Sequence, residues 1–215
     1  MARGKYIVIE GGDGTGKTTQ ADILQQRLQA EGKTVLHIKE PGGTPVAEAI
    51  RSVILNGTLE RTPMTNILLF TANRHELWHS TIKPALDSGT WVISTRNYWS
   101  TLAYQGYGEG MSASVIEAIT ATFTDKEYMQ PDYGLILTID DLEVSKRRVQ
   151  ERGDLDAPDT FESREIEFQQ RVSDGYLKVA AQYNLPIVSA SQSIEAVASD
   201  VRLLVDQRAS TSSRS

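Results

Sequence analysis

The sequence predicts an α/β fold in which a five-stranded parallel sheet carries helices on both faces. Short β-rich runs alternate with longer helical patterns along the chain. The runs are almost continuously apolar, which is typical of parallel strands buried on both faces. The 215 residues, 40% hydrophobic and 23% charged, suit one soluble domain. We expect that domain to cover residues 1–208, and the small polar residues 209–215 to form a disordered tail.

Each element follows from a local pattern. The runs that predict strands are 6–10, 34–38, 91–94, 133–139 and 185–190. A first helix follows residue 16, because Ala21, Leu24 and Leu28 recur at helical spacing before Gly32. A second begins at Pro45, a residue favoured in the first turn. Further helices are predicted at 64–86, 112–124, 141–152, 162–183 and 193–207.

A glycine-rich stretch, GGDGTGKTT at 11–19, joins the first strand to the first helix. Gly11, Gly16, Lys17 and Thr18 fit the P-loop pattern G-x-x-x-x-G-K-[ST] in its required strand–helix context. Glycines let successive N–H groups point inward, and the helix adds its positive N-terminal end. We expect Lys17 to reach the β- and γ-phosphates and Thr18 to bind Mg²⁺. The predicted ATP-binding residues of the loop are Gly12, Asp13, Gly14, Thr15, Gly16, Lys17, Thr18 and Thr19.

A P-loop alone leaves three functions open: a phosphotransferase acting on a small acceptor, a guanine-nucleotide switch, and an ATP-driven motor or binding protein. The chain lacks the Asn-Lys pair of a guanine-specific switch, and a motor is normally larger. A small-molecule kinase needs a second anion site that faces the first. We therefore looked for arginines beyond the other strand ends.

Arginines with polar and aromatic companions do follow those strands. Arg51 comes after EPGGT, and Phe70 and Arg74 lie four residues apart on one helix face. An aromatic ring with an arginine one turn away can stack on a base and bond its edge. The residues after the third strand are Arg96, Ser100, Thr101, Tyr104 and Gln105. Their shared position beyond strand ends, where α/β sheets bind ligands, indicates an acceptor site.

Composition argues against several other classes. The net charge of −6 and the absence of a basic run argue against a nucleic-acid partner. Without cysteine there can be no disulfide, catalytic thiolate or zinc–cysteine site. No signal peptide and no apolar run of membrane-spanning length is evident. We therefore expect a cytoplasmic protein without a membrane partner.

The chain resembles the thymidylate kinase family over about residues 5–205. The resemblance lies in IEGGDGTGKTTQ, EPGGTPVAEAIRSVIL, FTANRHELWHSTIKPALDSGTWVI, RNYWSTLAYQG and RVQERGDLD. It implies the P-loop NTPase fold with a small helical lid at about 148–164, and a homodimer. It also implies the reaction ATP + dTMP → ADP + dTDP with Mg²⁺.

The resemblance implies roles for individual acceptor-site residues. Asp13 would hold the 3′-hydroxyl, and Arg51 and Arg96 would grip the 5′-phosphate. Phe70 would stack on thymine, and Arg74 would bond its O4. The further implied acceptor contacts are Ser100 or Thr101 at N3, Tyr104 at the 2′ position, and Pro41 and Gln105 in the matching segments.

On the ATP side, the resemblance places Arg148 and Arg152 in the lid and Gln192 near the adenine. The P-loop itself contains no arginine, which resembles the family form whose extra arginine comes from the lid. The residues implied for catalysis are Lys17, Arg96, Asp13 and Arg152.

Two positions depart from the family pattern. Thr95 precedes Arg96 where the family usually has aspartate, and Thr160 stands in DTFE where the lid usually has arginine. Arg164 is a candidate substitute for the lid arginine. These changes leave open a slower enzyme, a rearranged metal shell, or another acceptor such as dUMP or a 5-substituted dUMP. A P-loop protein that binds nucleotides without kinase activity is the remaining alternative.

Overall fold

A computed structural model describes residues 2–151, 160–161 and 164–212 of the protein. Its strands are β1 (Tyr6–Gly11), β2 (Val35–Lys39), β3 (Trp91–Thr95), β4 (Tyr133–Thr138) and β5 (Ile187–Ser189). They form one sheet in the order β2-β3-β1-β4-β5, and every neighbouring pair is parallel. The predicted fold class is confirmed. All strands end at the same edge, so the loops that follow them meet there.

Helices connect and flank these strands. The α-helices are α1 (Lys17–Ala30), α2 (Pro45–Leu55), α3 (Pro63–Leu77), α4 (Lys83–Asp87), α5 (Tyr98–Thr101), α6 (Ala113–Phe123), α7 (Lys126–Met129), α8 (Leu142–Glu151), α9 (Ile166–Tyr183) and α10 (Ile194–Ser212). Two π-helical segments are π1 (Trp78–Ile82) and π2 (Leu102–Gly108). In the described ranges, no helix combines the length and apolar character needed to cross a bilayer.

The side chains of β1 alternate between two apolar layers. Ile7 and Ile9 face a cluster that includes Leu24 of α1 and Val197 of α10. Tyr6 and Val8 face the larger cluster, built with the aromatic side chains of π1, α5, α7 and α9. Both strand faces are therefore buried, as the continuous apolar runs predicted.

The predicted helix at 64–86 is not one regular α-helix. It begins at Pro63, widens into π1 and continues as α4 to Asp87. Pro84 lies in this run and has no N–H to donate to the preceding turn, which favours the wider turn before it. The register shift leaves Trp78 and Ile82 fully buried.

Other predicted boundaries also shift. The helix expected at 162–183 begins at Ile166, and residues 162–163 lie outside the described ranges. Residues 209–212, which we expected in a disordered tail, continue α10 because neither glycine nor proline interrupts it. Residues 213–215 of that tail lie outside the described part of the chain.

The segment after β3 was not predicted to be helical, yet it forms α5 and π2. The Asn97 side chain accepts a hydrogen bond from the Trp99 N–H at 2.8 Å and so caps α5. Single π turns occur often at functional sites. Here π2 carries Tyr104 and Gln105 to the carboxyl edge of the sheet.

Candidate functional site

A cavity of about 1110 Å³ opens at the carboxyl edge of the sheet. Its walls contain every residue predicted for the acceptor site. They also contain the predicted ATP-binding residues, except Gly12, which borders a much smaller cavity behind the loop. Arg152 lies outside the described residues. The sequence therefore identified side chains that the fold brings together from six separate segments.

The glycine-rich loop encloses one part of this cavity. Gly14 has a φ of +77°, and a Cβ there would lie 2.6 Å from the Ser145 carbonyl oxygen, so only glycine fits. The Lys17 ammonium is buried and donates to the carbonyl oxygens of Gly11, at 2.9 Å, and Gly12. The Lys17 charge thus lies inside the curl of the loop, at the N-terminal end of α1, where an anion is favoured.

An ion pair links this loop to the segment after β3. The Arg96 guanidinium donates to one carboxylate oxygen of Asp13, and the Tyr104 hydroxyl donates to the other at 2.6 Å. Burial by itself would lower the pKa of Arg96, but Asp13 and other neighbours raise it well above its usual value. Arg96 has a φ of +80°, a sparsely populated backbone region for this residue type. The Ser94 hydroxyl supports that conformation by donating to the Arg96 carbonyl at 2.7 Å.

The Glu10 carboxylate lies beneath this pair and is fully buried. It accepts hydrogen bonds from the backbone N–H groups of Asn97 (2.7 Å) and Ser100 (3.0 Å). The hydroxyls of Ser100 (2.7 Å) and Tyr176 (3.2 Å) donate to its second oxygen. Glu10 therefore fastens the end of β1 to the start of α5 and to α9.

A second buried ion pair orients Arg74. Its Nε lies 3.1 Å from the Glu40 carboxylate, and its other nitrogens donate to the Thr101 hydroxyl at 2.7 Å and the Asn97 carbonyl at 2.8 Å. The Tyr128 hydroxyl donates to Glu40 at 2.8 Å. Burial raises the pKa of Glu40 to about 7, although Arg74 and Tyr128 act in the opposite direction. The guanidinium is thus fixed in one orientation by three residues from two segments.

Phe70 and Arg74 form one wall of a flat pocket. The guanidinium carbon of Arg74 lies 5.3 Å from the centre of the Phe70 ring. The Phe161 ring lies 6.0 Å from Phe70 and 5.8 Å from Tyr104. Gln105 also borders the cavity; it is fully buried, and neither its amide nitrogen nor its amide oxygen has a hydrogen-bond partner among the described residues. An aromatic face with polar groups at its edge suits a nucleobase.

The resemblance implied that Ser100 or Thr101 meets N3 of the base, and both hydroxyls have protein partners in this structure. The Ser100 hydroxyl contacts Glu10 and Tyr176, and the Thr101 hydroxyl accepts from Arg74. Both hydroxyls therefore hold other protein side chains. The unpartnered amide of Gln105 is better suited to meet the edge of a base.

The remaining predicted residues lie at the two ends of the cavity. Arg51 reaches back from α2 and donates to the Pro41 carbonyl at 2.5 Å. At the opposite end, Arg148 donates to the Ala190 carbonyl at 3.1 Å, and Gln192 contacts the Ser189 carbonyl at 3.2 Å. Among the described residues, the cavity lining therefore contains six cationic side chains and only two carboxylates.

Thr95 and Thr160, the two residues that depart from the family pattern, form hydrogen bonds within the protein. Thr95 is buried, and its hydroxyl donates to the Ile38 carbonyl at 3.3 Å. Thr160 accepts from Arg61 and donates to the Ile54 carbonyl, each at 3.1 Å. Arg164 pairs with Glu109 at 2.8 Å and does not line the cavity, so the described structure gives no support for its substituting as a lid arginine.

The residues that line the cavity fit a metal ion that binds together with a nucleotide. The described residues contain no cluster of three or more acidic, histidine or cysteine side chains that could hold a metal alone. Asp13 and Glu40 in the cavity are each engaged by an arginine. The Thr18 hydroxyl is exposed at the start of α1 and can serve as the protein ligand. Mg²⁺ often takes its other ligands from phosphates and water.

Sequence reasoning missed the buried residues that support the site. Glu10 and Glu40 each carry a charge at the end of an apolar strand, and this was an available signal. Tyr176 lies 80 residues from Arg96, its hydrogen-bond partner, and nothing in the local sequence reveals the contact. Phe161 lies in the segment for which we predicted a lid, and only the fold shows that it meets Phe70.

Comparison with known proteins gives a consistent result. Residues 9–201 match the family model described as thymidylate kinase. A thymidylate kinase from Exiguobacterium sibiricum is 39% identical over 203 residues, covering 92% of each chain. One from Nitrobacter winogradskyi is 37% identical over 213 residues, covering 97% of this chain and 91% of that protein. The crystal structure of thymidylate kinase from Ehrlichia chaffeensis matches with a TM-score of 0.75 and 28% identity, over 95% of this chain and 99% of that chain.

The buried Glu40–Arg74 pair generates a stability prediction. The two side chains are only 1% and 3% exposed. Glu40→Gln leaves the Arg74 charge buried without a counterion, so we expect the free energy of unfolding to fall by about 3 kcal/mol. Urea denaturation about two pH units above the Glu40 pKa of about 7, where the carboxylate is fully ionised, measures this change.

Glu48→Gln is the matched control, because the Glu48 side chain is 58% exposed and 4.0 Å from Arg51. Exposed pairs contribute about 0–1 kcal/mol. Equal losses of unfolding free energy in the two variants would show that the Glu40–Arg74 pair stabilises no more than an exposed pair. That result would contradict its role in holding Arg74.

Proposed function

The chain belongs to the thymidylate kinase family, and we propose that its cavity binds ATP on the glycine-rich loop and dTMP against Phe70 and Arg74. The family is ATP-dependent and transfers the γ-phosphoryl group of ATP to dTMP, which yields ADP and dTDP. The observation that carries the proposal is one cavity that joins a phosphate-binding loop to an aromatic pocket with arginines between them. Two nucleotides placed there would meet phosphate to phosphate.

The proposed base contacts follow from the pocket. Phe70 stacks on the pyrimidine, and Arg74 donates to its O4. Arg74 is already fixed by Glu40, Thr101 and Asn97, so little side-chain entropy is lost on binding. Gln105 supplies both a donor and an acceptor for the rest of the base edge.

The proposed sugar and phosphate contacts use the loop and the segment after β3. Asp13 holds the 3′-hydroxyl; its two oxygens retain acceptor capacity besides their bonds to Arg96 and Tyr104. The Tyr104 ring occupies space beside the sugar and favours deoxyribose. Arg51 and Arg96 bind the 5′-phosphate.

Charge compensation is the central requirement of the reaction. Two unit negative charges about 4 Å apart repel by roughly 4 kcal/mol at an effective dielectric constant of about 20. Lys17 on the ATP side and Arg96 on the acceptor side offset this repulsion and hold the reacting groups in line. The attacking phosphate oxygen is already deprotonated near neutral pH, so no general base is required. Mg²⁺ carried by ATP, with Thr18 as its protein ligand, would supply further positive charge to the transferred group.

We also propose a homodimer. Large apolar side chains are exposed on the neighbouring helices α3 and α6, where Leu68 and Phe123 are each 50% exposed and Val115 is 37% exposed. Burying such side chains against a second copy is favourable.

The acceptor assignment is tested with a coupled assay of ADP release over dTMP, dUMP, dCMP and dGMP. We expect dCMP and dGMP to be poor acceptors, because Phe70, Arg74 and Gln105 suit a pyrimidine with an O4 acceptor, and dTMP to exceed dUMP, because an extra buried methyl group contributes about 1–3 kcal/mol. A higher value for dUMP would transfer the assignment to another pyrimidine. Absence of ADP release with every monophosphate would favour a nucleotide-binding role without phosphoryl transfer.

Substitutions in the proposed acceptor site and in the proposed ATP site should have different kinetic effects. Phe70→Ala should raise the KM for dTMP about tenfold, since a stacking contact is lost. Lys17→Ala should lower kcat by about a hundredfold or more, because the lost charge faces the transferred group. Steady-state kinetics with both substrates separates these effects. Lys33→Ala, on an exposed lysine outside the cavity, is the control; equal loss in all three variants would contradict the roles.

The dimer is tested by multi-angle light scattering at micromolar concentration. We expect twice the mass of a single chain, and Phe123→Glu should shift the mass towards that of the monomer because it places a charge in the interface. Leu203→Glu is the control, since Leu203 is 53% exposed on α10. A monomeric parent protein would refute the dimer.

A further inference from the structure

The Tyr176 hydroxyl is buried behind the acceptor side of the cavity and does not line it. It lies 3.0 Å from Arg96 Nη1, 2.9 Å from Ser100 Oγ and 3.2 Å from Glu10 Oε2. The residue belongs to α9, which otherwise packs on π2 and the sheet. A single hydroxyl therefore joins a helix outside the cavity to the arginine proposed to bind the acceptor phosphate.

Arg96 depends on such contacts for its orientation. Besides Tyr176, its Nη1 contacts the Gly11 carbonyl and the Ser100 hydroxyl, each at 3.2 Å, while Nη2 donates to Asp13. A guanidinium is a planar fork, and its value for phosphate binding depends on the direction of that plane. The Tyr176 contact, at 3.0 Å, is the shortest of the three at Nη1, so its loss weakens the restraint on the direction of that plane.

The Tyr176 hydroxyl is itself firmly held. Burial raises the pKa of Tyr176 well above its usual value, and the Glu10 charge raises it further, so the group remains an O–H at neutral pH. It can accept from Arg96 while donating to Glu10. It thereby bridges a buried carboxylate and a partly exposed guanidinium.

We propose that Tyr176 is a positioning residue that fixes the Arg96 guanidinium for the acceptor's 5′-phosphate without touching the substrate. The inference rests on the proposed function, in which Arg96 binds that phosphate. It adds a specific consequence: Tyr176 contributes to recognition of the phosphate, whereas Asp13, which the Tyr104 hydroxyl also holds, keeps its place at the sugar.

The test compares dTMP with thymidine, which has the same base and sugar but no phosphate. Isothermal titration without ATP measures both affinities for the parent protein and for Tyr176→Phe. Phenylalanine keeps the ring contact with Tyr104, at 6.3 Å between centroids, and removes only the hydroxyl. We expect dTMP affinity to fall about tenfold and thymidine affinity to change by less than twofold.

Tyr183→Phe is the control on the same helix, because its hydroxyl contacts Glu117 of α6 outside the cavity. It should leave both affinities unchanged. A general loosening of α9 would weaken dTMP and thymidine together, and that result would overturn the proposal. Unchanged dTMP affinity in Tyr176→Phe would overturn it as well.

A double-mutant cycle with Arg96→Lys tests whether Tyr176 acts through Arg96. In the Arg96→Lys background, Tyr176→Phe should produce no further loss of dTMP affinity, since lysine has no plane to orient. Additive losses would show that Tyr176 acts by another route.

If instead the parent protein binds thymidine as tightly as dTMP, the phosphate site itself is misassigned. That result is a failure of the proposed function and is distinct from the other outcomes.

Discussion

The site holds several cations close together, and each needs a hydrogen-bond or ion-pair partner within the protein. This requirement determines the rest of the site. Arg96 is paired with Asp13, Arg74 is paired with Glu40, and Lys17 donates to carbonyl oxygens of its own loop. A buried unpaired charge is costly, so each cation requires an internal partner. The partners also fix the direction of each side chain. The carboxylates thus fix the cations in position for anion binding without contacting the anions themselves.

The main outline of the fold and cavity could be predicted because its signals are local. The glycine-rich loop is defined by nine consecutive residues in a strand–helix context, and the arginines and Phe70 are marked by their positions after apolar strands. The supporting contacts could not be predicted in the same way. Glu10 meets Tyr176 across 166 positions, and Glu40 meets Tyr128 across 88. Periodicity shows which face of an element is buried, but it does not show which polar group of a distant segment contacts that face.

The same distinction explains the errors in secondary structure. The helix predicted at 64–86 has the right extent, but its register changes at π1, before Pro84. The segment after β3 lacks helical periodicity, because Tyr98, Trp99, Leu102, Ala103 and Tyr104 are all buried in it. Its first helix is capped locally by Asn97, and Glu10 holds it from the end of β1, which is a tertiary constraint. A sequence that buries most of a helix on all sides gives no amphipathic signal.

The threonines at 95 and 160 show how the charge balance of this cavity differs from the family pattern. Both hydroxyls bond to backbone carbonyls, so neither contributes charge to the cavity. Thr95 is aligned with Lys39 across β2 and β3, and Lys39 also lines the cavity. An aspartate at position 95 would add a negative charge beside that lysine, whereas threonine adds none. This edge therefore has one carboxylate fewer than the family pattern, which in the proposed complex would favour phosphate binding and would leave more of the coordination of Mg²⁺ to the phosphates.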